Sequence, residues 1–131
     1  MNIKKSIVGS LFSMLLVSEM AAADWGDVYY CQMTNFIGIT LEGEKKSYPL
    51  ERFQFKLDQT KNAMVFGSTG FFADQVIELV IGLDRPSQEM WYADDLFSMT
   101  HFDKGKLLYS GTVFSGTVLG ATAMSADCEK F

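Results

Sequence analysis

His101 is the only histidine in this chain of 131 residues. Asp94, Asp95 and Asp103 lie within a few positions of it. Imidazole and carboxylates together are the raw material of proton transfer or metal binding. The spacing argues against both. One histidine among scattered carboxylates lacks the repeated ligand pattern of a zinc site. No calcium loop, phosphate-cradling glycine loop or nucleophile motif accompanies it. Asp94 and Asp95 are adjacent, so on a strand their carboxylates point opposite ways and make a poor glycosidic acid–base dyad. The expectation is a histidine at a strand end beside a turn. No catalytic residue, metal or cofactor is expected, and the chain does not read as an enzyme.

Cys31 and Cys128 are the only cysteines. They form no CxxC pair, so a structural disulfide between them is expected. An export signal precedes them. Lys4 and Lys5 open it, Ile7 to Val17 is apolar, and Ala21-Ala22-Ala23 suits a signal peptidase. The apolar stretch covers about 11 residues, short of the ~20 a spanning helix needs. Residues 1–23 therefore read as a cleaved secretory signal peptide, and residues 24–131 as a single domain. Cys31 follows Val28-Tyr29-Tyr30, which is not a lipidation context. The expected destination is secreted or periplasmic. Losing Lys4, Lys5 and Glu19 makes the remainder one charge more acidic than the −5 of the full sequence. That balance argues against nucleic acid and anionic lipid as main partners.

The elements that carry these residues follow a period of two. Arg52 to Asp58 alternates fully, with Phe53, Phe55 and Leu57 on one face. Gln59 to Asn62 reads as a turn into a return strand, Ala63 to Gly67. Tyr29, Cys31 and Met33 share a face, and Ile37, Ile39 and Leu41 continue that pattern. Met90 to Ala93 is a short strand. Leu96 to Phe114 is a hairpin turning at Asp103-Lys104-Gly105-Lys106, with Gly105 at positive φ. Thr117 to Ser125 is the last strand, and Cys128 falls just after it. The segment 71–83 suits a strand, with a short helix as the alternative. Eight or nine short strands joined by turns predict an all-β fold, a small antiparallel barrel or a sandwich. A membrane barrel is not expected, because Ser125, Asp127 and Glu129 occupy alternate positions of the final segment.

Aromatic content is the remaining signal, at 14% of residues. Phe71, Phe72, Trp91 and Tyr109 are the candidate ligand- or partner-binding residues. Two adjacent phenylalanines cannot both point inward from one strand, so one ring of Phe71-Phe72 is expected to form an exposed lip, with a helical turn that hides both as the alternative. Core filling against Gly111, Gly116, Gly120, Ala121 and Ala123 is the competing role. In layout the chain resembles lipocalin-type and avidin-type barrels, which implies an unknown small apolar ligand in the lumen or a protein partner. In size, export and terminal disulfide it is also similar to small periplasmic lysozyme inhibitors. That implies an inhibitor or envelope interaction protein that works through loops. The functional expectation is an exported binding module, not membrane-spanning after signal cleavage. An apolar cavity of about 300 Å³ or more would mark a ligand binder.

Overall fold

The computed structural model describes residues 23–80, 90–114 and 118–131. The signal read in residues 1–23 lies outside them except for Ala23, as do residues 81–83 of the ambiguous segment. Among the described residues, nine strands form one antiparallel sheet. They are β1 Val28–Thr40, β2 Lys45–Ser47, β3 Arg52–Asp58, β4 Ala63–Phe66, β5 Val76–Glu78, β6 Met90–Asp94, β7 Ser98–Asp103, β8 Lys106–Phe114 and β9 Val118–Lys130. The order is β5-β4-β3-β1-β9-β8-β7-β6, with β2 paired to β1 off this path. The eight strands of the path curl into a nearly closed barrel, not a sandwich. β5 and β6 are its two edges, joined by a backbone bond from Val80 N to Tyr92 O of 2.9 Å.

Alternation places the core. Phe53, Phe55 and Leu57 on β3 are buried, while Arg52, Gln54 and Lys56 are exposed. A lipid-facing wall could not carry that charged face. The β7–β8 hairpin turns on Lys104 and Gly105, with φ of 49° and 75°. Two consecutive positive values are the tight-hairpin geometry that glycine makes accessible. Residues 71–74 are turn and 76–78 are strand, so the described part of 71–83 contains no helix.

Cys31 and Cys128 are directly opposed across β1 and β9 and form a disulfide, although they lie 97 positions apart in sequence. Such a bond belongs to an oxidising compartment. Cys128 lies within β9, not after it, because the last strand runs on to Lys130. The bond also sits in the middle of the sheet and not at a closing edge.

The main departure from simple alternation is in β1. Its pairing with β9 slips between Met33 and Asn35. This bulge reverses the faces beyond it. Tyr29, Cys31 and Met33 face inward, then Phe36 does, and Ile37 and Ile39 stand exposed on the outer wall. The expected continuous inner face through Leu41 is therefore broken.

Candidate functional site

Rings fill the lumen. Tyr29 stacks on Phe55, and both meet Phe102 edge-on. Phe55 touches Phe66, Phe66 stacks on Phe72, and Phe72 meets Tyr109. Phe71 continues the chain to Phe36, and Phe36 to Tyr48. Trp91 packs against Trp25, with centroids 4.9 Å apart. Offset and edge-on contacts of this kind add to the large apolar area each ring buries.

The four aromatic candidates thus divide. Phe71, Phe72 and Tyr109 meet one another, while Trp91 lies apart beside Trp25. Trp91 and Phe72 are fully buried, and Phe71 and Tyr109 are partly buried against the core. The expected exposed lip at Phe71-Phe72 does not form. The pair sits on a turn, not a strand, and that frees both rings to face inward. Gly70 takes φ of 82° and the Glu51 carboxylate accepts the Phe71 N–H at 2.8 Å. Gln75 N closes the turn on Phe72 O. Burial together with the hydrogen-bonded Ser98 and the charge of Asp95 acts on the Tyr109 hydroxyl, and burial dominates, raising its pKa.

His101 lies on the outer face of β7, half-buried, with its ring 4.6 Å from that of Tyr92. Among the described residues no hydrogen bond or ion pair joins it to Asp94, Asp95 or Asp103. No group of three potential metal-ligating side chains occurs among them either.

The exposed chemistry gathers elsewhere, on the β6–β7 turn. Leu96 is 91% exposed and Phe97 53%. Asp95 holds this turn rigid. One of its carboxylate oxygens accepts the N–H groups of Phe97 and Ser98, each at 2.7 Å, and the Ser98 hydroxyl at 3.2 Å. The Phe97 N–H is the main reason the Asp95 pKa lies below its ordinary value. Partial desolvation opposes the shift, and the Ser98 donors add to it. The Phe97 carbonyl accepts Thr112 N, tying the turn to β8.

Clefts flank the turn on both sides. One, of about 380 Å³, lies between β5 and the β6 end, lined by Val76, Ile77, Glu78, Ala93, Asp94 and Asp95. The other, of about 390 Å³, runs over β8 and β9, with Phe97 and Met99 beside Ser110, Thr112 and Ala121. Beyond that floor stand Ile37 and Ile39, which pair with Ala123 and Ala121 across β1 and β9. The bulge in β1 and the locked turn thus put apolar side chains on one side of the outer wall, where charged residues cover β3. Alternation alone assigned Ile37 and Ile39 inward. The Asp95-x-x-Ser98 spacing is the local signal that marks the turn.

No family model, no curated protein and no solved structure matches this chain. The class defined by fold and site is a small all-β near-barrel, with its two central strands joined by a disulfide and an apolar turn displayed beside two clefts.

Proposed function

We propose that this chain is an exported protein-binding module, secreted or periplasmic, that grips a partner through the β6–β7 turn and the outer wall beside it. The supporting observation is the turn itself. A soluble surface gains nothing by presenting Leu96 almost wholly to water on a loop locked by a carboxylate. Prepaid rigidity and an apolar tip are what an interface anchor needs. The clefts on either side give a partner surface room to close around the turn. The aromatic lumen serves as the scaffold in this reading, and no residue is assigned catalysis. The reading covers an inhibitor or an envelope interaction protein equally.

Photo-crosslinking tests it. A photoreactive residue replaces Leu96 in one preparation and Gln54, on the charged outer face of β3, in another. Both proteins are produced in their own exported compartment. The expected result is one dominant protein adduct from position 96 and none from position 54, lost when Phe97→Ser is added. Circular dichroism should stay unchanged. Native mass spectrometry showing a retained small apolar molecule, with no protein adduct at position 96, would overturn the reading.

A further inference from the structure

The barrel does not zip shut, and its sequence says why. Phe66 N bonds to Gln75 O and Leu79 N to Asn62 O. These bonds phase β5 against β4, so Gln75, Ile77 and Leu79 turn their backbone groups to β4. Val76, Glu78 and Val80 turn theirs to the open seam. On the other side, Asp95 N bonds to Ser98 O, so Tyr92 and Asp94 turn theirs to the seam from β6. Val80 N and Tyr92 O meet there. Counting outward from that antiparallel pair, the next pair would set Glu78 opposite Asp94.

Both carboxylates are exposed, and like charges directly opposed destabilise a ladder. The strands part at that point, and the cleft of about 380 Å³ opens between them. Two strand edges are left with their hydrogen-bonding groups directed into one groove. Open edges invite an added strand. The side chains define which strand. Glu78 and Asp94 line the groove from its two walls, and Val76, exposed two positions before Glu78, adds an apolar step.

We infer that this seam binds an extended peptide segment of a partner protein by strand addition, with a lysine or arginine of that segment held between Glu78 and Asp94. An apolar residue two positions along would cover Val76, since alternate residues of a strand share a face. This rests on the reading of the molecule as a protein-binding module and adds the chemistry of the bound segment.

The test uses the full mature chain and a fluorescein-labelled short peptide of alternating lysine and valine. A glutamate–valine peptide is the control. Anisotropy should report binding of the lysine peptide alone, weakened by salt. Hydrogen exchange should show new protection at the Val76 and Glu78 amides. Asp94→Asn should weaken binding roughly fivefold, as expected for one cross-strand charge contact. Glu78→Lys should abolish it, because that change both removes an acid from the groove and puts a cation opposite Asp94, which closes the ladder. Leu96→Ser should leave peptide binding intact, which separates this site from the turn. Equal binding of both peptides, protection confined to other strands, or self-association of the chain through this edge would overturn the inference. Failure here with a Leu96 adduct still formed would leave the protein-binding reading standing.

Discussion

Asp95 shows how much one carboxylate can organise. It holds the turn that displays Leu96 and Phe97, and the donors that it accepts keep its pKa below the ordinary carboxylate value. A depressed folded pKa contributes stability that is present above the unfolded value and lost as pH falls through the folded one. In acid, the N–H groups of Phe97 and Ser98 should therefore exchange faster than the protein's global opening explains. Asp95→Asn should show the same fast exchange already at neutral pH, and its deficit in melting temperature should shrink as the solution is acidified. A deficit that stays constant with pH would remove the carboxylate's role. Alternation places Leu96 and Phe97 in the strand of the Leu96–Phe114 hairpin, but the strand begins only at Ser98, because the Asp95 carboxylate holds the two residues before it in a turn. For Phe71-Phe72 the sequence offers an exposed lip or a turn hiding both rings and does not choose, because the turn is held in part by Glu51, twenty residues earlier in the chain.

Among the elements, the close pairing of β1 and β9 carries the tightest constraint. A methyl group on Gly120 would collide with the Ile39 carbonyl oxygen and approach Thr40 Cα at 3.1 Å. Both are backbone, so neither can rotate away. Gly120→Ala should cost about 1–3 kcal/mol, the range for forced overpacking, as measured by urea unfolding. An unchanged midpoint would mean that the two strands separate freely at that end. Element positions were legible wherever alternation was clean, as in Arg52–Asp58 and the hairpin turning on Gly105. The bulge between Met33 and Asn35 was not legible. A slip in register is set by the partner strand, and the local pattern on both sides of it still reads as alternation.

At the scale of the whole molecule, the disulfide and the seam play opposite parts. Cys31–Cys128 joins the first and last described strands at the centre of the sheet. The opening lies at β5 and β6, the two edges of the sheet, where a bond between β1 and β9 does not reach. Closing a loop of 97 residues constrains the unfolded chain by roughly 4–5 kcal/mol in the entropy model. Reduction should lower the melting temperature markedly, and since that effect acts on the unfolded state, the reduced protein should keep its strand spectrum at low temperature. An unaltered melting curve would show that the bond adds nothing to stability. Exchange at Val76 and Glu78 should be fast in both forms, since the seam depends on Glu78 and Asp94 and not on the bond.

The sequence by itself determined the all-β class, most strand positions, the turn at Gly105 and the pairing of Cys31 with Cys128. Each follows from local period, from a backbone need that glycine meets, or from there being only two cysteines. Tertiary structure decided which face each residue took beyond the bulge, where the barrel opened, and that Phe71 and Phe72 became core. Those outcomes depend on register between strands far apart in sequence. One residue of slip exchanges inside for outside, and nothing in the slipping strand alone records it.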